Sequence, residues 1–213
     1  MKKYSSFGLW YLFIIVANLV FLSWMTEYRM VSKPLIMGSL LGFYIGVAQK
    51  QSPLFILALI FAMLGDIFLM FNTENFFLIG LGCFLVMQIL YAVTFLMDKS
   101  LNVKENILKS APVIILALCI ITFLWQGLGS MQIPVAIYTA AISLMVASAI
   151  IRQKSVRWYL QVVAGVFLFM ISDAGIAFNK FGAQFAGAEY FIMTTYMVAQ
   201  YLIVRGVVER DEI

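Results

Sequence analysis

The sequence contains no histidine and little charge. None of its 213 residues is His, and 11% are Asp, Glu, Lys or Arg. The first absence removes histidine general bases, Ser-His-Asp triads, His-ligated haem and most zinc sites. The second lies far below the roughly 25% charged residues of soluble domains. Cysteine is scarce as well. Cys83 and Cys119 both fall inside apolar runs, form no CxxC and build no disulfide framework, so they read as small packing side chains. The net charge of +4 comes from Lys and Arg scattered through short polar gaps. That pattern serves membrane topology rather than a basic patch, and it excludes nucleic acid as a partner.

Apolar surface fills the space these absences leave. Hydrophobic residues make up 64% of the chain, against about 45–50% in soluble domains. The excess must face lipid, which makes this an integral membrane protein of the all-α polytopic class. A helix needs about 20 residues to cross a hydrocarbon core about 30 Å thick. Eight apolar runs are candidates: Phe7–Met25, Pro34–Ala48, Pro53–Phe71, Phe76–Met97, Ile107–Trp125, Met131–Ile151, Trp158–Phe178 and Ala188–Val208. The second is the shortest. Met1-Lys2-Lys3 before an apolar run imitates a signal peptide, but no small-residue cleavage site follows, so a retained first helix is expected. The linkers Gln49–Ser52, Asn72–Asn75, Gln126–Ser130 and Arg152–Arg157 leave no room for a soluble domain. Residues 1–213 are expected to form one transmembrane domain.

Eight spans put the N-terminus, alternate loops and the C-terminus on one side. Eleven of the fourteen Lys and Arg residues fall there, and only Arg29, Lys33 and Lys180 fall on the other. The positive-inside rule then places both termini in the cytoplasm, with a bacterial inner membrane as the expected location.

A motif recurs within the chain. Met63-Leu64-Gly65-Asp66, four residues, then Phe71-Asn72 returns as Met170-Ile171-Ser172-Asp173, four residues, then Phe178-Asn179, at an offset of 107. Val86-Met87-Gln88 matches Val198-Ala199-Gln200, and Pro34 matches Pro134. Two four-helix repeats, about 7–97 and 107–208, follow. An even number of spans in each half makes the repeats parallel, related by an axis along the membrane normal, with a shared site between them.

Asp66 and Asp173 are the only acids well inside apolar spans. An intramembrane carboxylate costs about 2.5–3.5 kcal/mol on insertion scales and marks function by default. Each precedes the end of its apolar run by five residues, which puts both roughly 7–8 Å below the same non-cytoplasmic boundary. The bland alternative is a pair of packing residues, each bonded to a polar group of the other half. Asn72 and Asn179 lie six residues further on and can bind a polar head or cap helix ends. Gln88, Tyr91, Tyr138, Tyr196 and Gln200 are the polar side chains of the even-numbered spans able to face the interior. Gln88 and Tyr91 share a helix face, as do Tyr196 and Gln200. Lys33, just before Pro34, can meet a lipid phosphate or snorkel without a ligand.

At these residues the sequence resembles the YhhN/TMEM86 family of lysoplasmalogenases. Gly65-Asp66-Ile67-Phe68-Leu69-Met70, Phe77-Leu78-Ile79-Gly80-Leu81-Gly82 and Gln88-Ile89-Leu90-Tyr91 carry the likeness in the first half. Ser172-Asp173, Asn179-Lys180-Phe181, Thr195-Tyr196 and Gln200 carry it in the second, and Lys33-Pro34-Leu35 and the Pro134 and Tyr138 pair fit as well. The resemblance runs from about Lys33 to Arg205. It implies an eight-span hydrolase that cleaves the vinyl ether bond of a lysoplasmalogen into a fatty aldehyde and a glycerophospho-base. One position departs from the pattern: Gln88 stands where family members often carry His.

The residues suit that chemistry. Vinyl ethers hydrolyse through protonation at carbon, giving an oxocarbenium ion that water captures. The reaction needs an acid that holds its proton near neutral pH, then a nearby negative charge and a base for water, as in paired-carboxylate glycoside hydrolysis. Asp66 and Asp173 can divide these roles with no metal and no organic cofactor, the partners being a lyso-lipid substrate and membrane lipids. Two other readings fit the same features. A proton-coupled or lipid transporter also uses paired intramembrane acids in a repeat, although neither Asp-bearing span has the Pro or Gly cluster of a broken helix. A non-catalytic lipid-binding protein would keep the fold without the chemistry.

Overall fold

The structure, a computed structural model, describes residues 2–24, 29–71, 73–97, 103–152 and 159–210. They form eight helices: α1 (Lys2–Trp24), α2 (Arg29–Val47), α3 (Pro53–Phe68), α4 (Glu74–Leu96), α5 (Val103–Leu124), α6 (Gln132–Ile150), α7 (Tyr159–Phe181) and α8 (Ala188–Arg210). Six of these are long and apolar enough to cross a membrane, and the apolar parts of α2 and α3, Val31–Val47 and Pro53–Phe68, are shorter. The large apolar side chains that remain exposed, such as Trp24 at 86% and Leu160 at 76%, are tolerable only against lipid. The chain is a multi-pass membrane protein.

Local sequence signals set several helix ends. Ser52 caps α3 by accepting from the Phe55 amide, with Pro53 at the first helical position where its missing N–H costs nothing. Thr73 caps α4 by accepting from the Phe76 amide. Two ends depart from the apolar-run reading. Pro34 does not open α2, which begins at Arg29, so the proline lies inside the helix. The apolar run expected to continue to Phe71 leaves the helix at Phe68. The amides of Leu69, Met70 and Phe71 fold back on Gly65, Ile67 and Phe68 as a tight turn that delivers the chain to the Thr73 cap. Its counterpart α7 instead remains helical to Phe181, with Lys180 in the last turn, where a cation favours the helix C-terminus. The duplicated sequence therefore ends in two different local structures. Asp66 lies in the last turn of α3, and Asp173 lies eight residues before the end of α7.

Packing runs α1 on α2, α2 on α3, α3 on α4, and likewise α5 on α6, α6 on α7, α7 on α8. The two sets meet where α4 packs on α6 and α8 packs on α2. One continuous core runs through this seam, including Phe55, Phe84, Met87, Tyr91, Phe169, Tyr196 and Met197. Close approach of α3 and α4 depends on Gly65. A Cβ there would stand 2.8 Å from the Phe84 ring, so the aromatic ring occupies the space a side chain would take.

Candidate functional site

The polar side chains predicted for the interior converge on the seam. The Tyr196 hydroxyl of α8 donates to Asp66 Oδ2 of α3 at 2.7 Å. The Tyr138 hydroxyl of α6 donates to Asp173 Oδ2 of α7. Gln88 Nε2 of α4 approaches the same oxygen at 3.4 Å. The two aspartates lie close enough to interact electrostatically. Each carboxylate is thus held by one tyrosine, and the Tyr196 and Gln88 contacts both cross between the first four helices and the last four.

Burial makes these contacts consequential. Asp66 is 2% exposed and Gln88 is wholly buried. A buried carboxyl without partners would carry a large desolvation cost, which hydrogen bonds from neutral donors offset. Rigid aromatic packing fixes the donor on the Asp66 side. The Tyr196 ring lies 6.0 Å from both the Phe84 and the Phe169 rings. Among the described residues the buried carboxamide oxygen of Gln88 has no hydrogen-bond partner, which leaves an acceptor beside Asp173.

Tyr91 and Gln200 share the seam without touching either aspartate. The Tyr91 hydroxyl donates to Gln200 Oε1 at 2.9 Å, and Gln200 Nε2 points at Met87 Sδ at 3.5 Å. They form a separate buried link between α4 and α8. Lys33 is half-buried and acts electrostatically on Asp66. Asn179 is half-buried in the last turns of α7, and among the described residues no hydrogen bond joins it to either aspartate. Asn72 lies outside the described residues.

Tyr11 of α1 was not foreseen. It is buried and donates to the Met197 carbonyl at 3.1 Å, next to Tyr196 on α8. The available signal was a stripe on an otherwise lipid-facing helix: Phe7, Tyr11, Ile14 and Asn18 fall on one face at helical spacing. Asn18 completes the contact by donating to the Ser32 hydroxyl of α2 at 3.1 Å.

Cavities distinguish the two aspartates. Asp173 and Tyr138 line two small spaces of about 60 and 50 Å³, one bounded by α5, α6 and α7, the other by Leu69, Phe77, Phe84 and Phe181. Asp66 lines neither. Each space has room for a water or a few ligand atoms, and each shares lining residues with a larger one. Toward the α3–α4 end of the bundle lies a polar vestibule of about 510 Å³, lined by Thr73, Glu74, residues 127–131 and Lys180. Toward lipid lies an apolar groove of about 450 Å³ between α5 and α6. Gly127 shapes the vestibule wall, since a Cβ there would stand 2.2 Å from the Phe181 carbonyl oxygen. Among the described residues no group of three His, Cys, Asp or Glu side chains could hold a metal ion.

Comparison with known proteins bears on this arrangement. The lysoplasmalogenase TMEM86A of Bos taurus is 34% identical over 160 residues, which cover 72% of this chain and 65% of the bovine protein. The human protein of the same name is 31% identical over 177 residues, covering 81% of this chain and 71% of the relative. The matched part thus spans just under two thirds of the bovine protein's length. No solved structure gives a significant match. Residues 28–207 match the YhhN family; that stretch contains both aspartates and the tyrosines and glutamines of the seam, and the chain belongs to the YhhN family.

Proposed function

We propose that the protein is an eight-span membrane hydrolase that cleaves the vinyl ether bond of a lysoplasmalogen, releasing a fatty aldehyde and a glycerophospho-base. The two four-helix halves share the site, both termini lie in the cytoplasm, and the vestibule opens on the opposite side. The observation that carries this reading is the position of Asp173: a carboxyl inside an apolar bundle, held by Tyr138 and lining two cavities. The family membership and the activity for which the relatives are named agree with it.

The roles follow from access. Asp173 delivers its proton to the vinyl carbon one bond removed from the ether-bearing carbon, leaving an oxocarbenium ion. Its carboxylate then accepts a proton from the water that attacks that ion, and Tyr138 keeps the carboxyl aimed during both transfers. The resulting hemiacetal collapses to aldehyde and alcohol, so one water is consumed and the acid is restored. Asp66, held by Tyr196 and lining neither of the two cavities at Asp173, contributes negative field to the cationic intermediate and does not meet the lipid. This divides the labour that two duplicated carboxyls left symmetrical in the sequence.

Purified protein in detergent, mixed with a lysoplasmalogen and with its saturated alkyl-ether analogue, tests the reading. Aldehyde is expected from the vinyl ether alone, with Asp173→Asn inactive. Aldehyde release at the unmodified rate by Asp173→Asn overturns the mechanism. No aldehyde from any vinyl ether lipid overturns the activity and favours a transport or binding role.

A further inference from the structure

The vestibule and the groove each share wall residues with one of the two small cavities at Asp173. On the vestibule side, Leu69, Phe77 and Phe181 line both the vestibule and the small cavity at Asp173. On the lipid side, Ala117, Ile121 and Thr139 line both the groove and the other small cavity at Asp173. The vestibule carries charged side chains, the groove is apolar, and Asp173 lines both of the small cavities that share walls with them.

The charges in the vestibule are of both signs. Lys180 lies two turns beyond Asp173 on α7, a spacing that returns to nearly the same helix face and corresponds to about 10 Å along the axis. Its ammonium is held 4.1 Å from the centroid of the Phe77 ring. That contact keeps the charge at the vestibule wall, where a cation over an aromatic face is stabilised. Glu74 sits one turn before Phe77 on α4 and lines the same space. Among the described residues no ion pair joins the two. Lys180 stands over Phe77, which also lines the cavity at Asp173, and Glu74 lies one turn before Phe77 at the start of α4, an order that matches a ligand whose phosphate precedes an ammonium group.

We propose that these spaces join into one path that binds a single-chain zwitterionic glycerophospholipid in one orientation, phosphate on Lys180, ammonium on Glu74, and hydrocarbon chain in the groove between α5 and α6. The inference rests on the proposed hydrolase reading for the chemistry at Asp173, and it adds which groups read the head and where the chain lies. The order of groups in the ligand decides the fit. Chain, ether carbon, glycerol, phosphate and amine follow one another in the lipid, as groove, Asp173, small cavity, Lys180 and Glu74 follow one another in the protein.

Binding of uncleavable ligands tests this separately from catalysis. The probes are an alkyl-ether lysophosphatidylethanolamine, the matching alkyl-ether lysophosphatidate, which lacks the amine, and the alkylglycerol, which lacks both charges. Their affinities for the protein in detergent are measured calorimetrically. The expected order is ethanolamine lipid, then phosphatidate, then alkylglycerol. Lys180→Gln is expected to remove most of the advantage of phosphate, about tenfold for one charge-assisted contact, and Lys180→Arg to restore it. Glu74→Gln is expected to abolish the preference for the amine alone. Ala140→Trp, in the groove wall, is expected to weaken all three ligands together. Affinity ratios unchanged by Lys180→Gln and Glu74→Gln overturn the head-group assignment, and unchanged affinities in Ala140→Trp overturn the chain assignment. Because no probe can be hydrolysed, these ratios are decided whether or not the protein releases aldehyde from a vinyl ether.

Discussion

Tyr138 donates its hydroxyl to the Asp173 carboxylate, and the two side chains line the same pair of cavities. A tyrosine that only satisfied a buried acid could do so from any side. This one holds the carboxyl at the edge of open space, with Asp173 Oδ2 also approached by Gln88.

Tyr138→Phe therefore removes the aiming contact while keeping the ring. The expected result is a fall in kcat of about tenfold or more, short of the 100- to 10,000-fold span typical of losing a general acid itself, with little change in KM. Tyr196→Phe, at the aspartate that lines neither of these cavities, is expected to cost less. Steady-state aldehyde release by both variants checks the asymmetry, and equal losses would return the two carboxyls to equivalent roles.

The gross architecture was legible because lipid leaves a helix few options. Runs of about 20 apolar residues between polar breaks name the helices. The paired acids were visible because charge is expensive inside a bundle. Partner choice was less legible. Tyr91 and Tyr138 both sit on interior faces, yet only Tyr138 meets an aspartate, while Tyr91 bonds Gln200. Which tyrosine faces which acid depends on the rotation and stagger of neighbouring helices, and the polar periodicity of one helix contains neither. The unequal ends of α3 and α7 were hidden for a similar reason: Phe71-Asn72 and Phe178-Asn179 read alike, and their difference comes from the turn to the Thr73 cap and from Lys180.

Gln88 separates stability from activity. Its amide donates toward Asp173 while its carboxamide oxygen lies buried without a partner. Gln88→Leu removes both at nearly the same volume, and an apolar replacement that deletes an unsatisfied group is close to neutral for folding, within about 1 kcal/mol. The expected outcome is an unchanged thermal midpoint in detergent with a several-fold loss of aldehyde release. A large loss of stability would show that the glutamine serves the fold instead.

Tyr91 gives the opposite pattern. Tyr91→Phe leaves Gln200 Oε1 without its donor at a buried position, a cost of about 1–3 kcal/mol. Thermal stability is expected to fall while kcat of the folded protein stays within about twofold, because Tyr91 touches neither aspartate. Adding Gln200→Leu removes the stranded acceptor and is expected to recover much of the lost stability. Additive losses in the double variant would mean that the hydroxyl acts on something other than Gln200.

Orientation is testable through charge. Three cations, Arg29, Lys33 and Lys180, lie on the side expected to be outside, and Lys180 lines the vestibule. A C-terminal reporter active only in the cytoplasm and an impermeant amine reagent that modifies Lys180 in intact cells are expected together. A reporter active outside would reverse the membrane sidedness and put the vestibule in contact with the cytoplasm.

Gly65 couples packing to the site through one ring. Alanine there would put its Cβ 2.8 Å from Phe84, and Phe84 packs edge-on against Tyr196, the donor to Asp66. A phenyl ring in a filled core cannot yield freely, so Gly65→Ala is expected to cost about 1–3 kcal/mol of stability through overpacking. It is also expected to disturb the Tyr196 contact. Ser172 occupies the corresponding place in the second half, where its hydroxyl donates to the Ile192 carbonyl at 2.9 Å. The duplicated position therefore tolerates a side chain only where α8, rather than an aromatic ring, faces it. Phe84→Leu combined with Gly65→Ala removes the clash and is expected to restore stability. Failure of that rescue would show that Gly65 is required by the backbone of the last turn of α3 rather than by the ring.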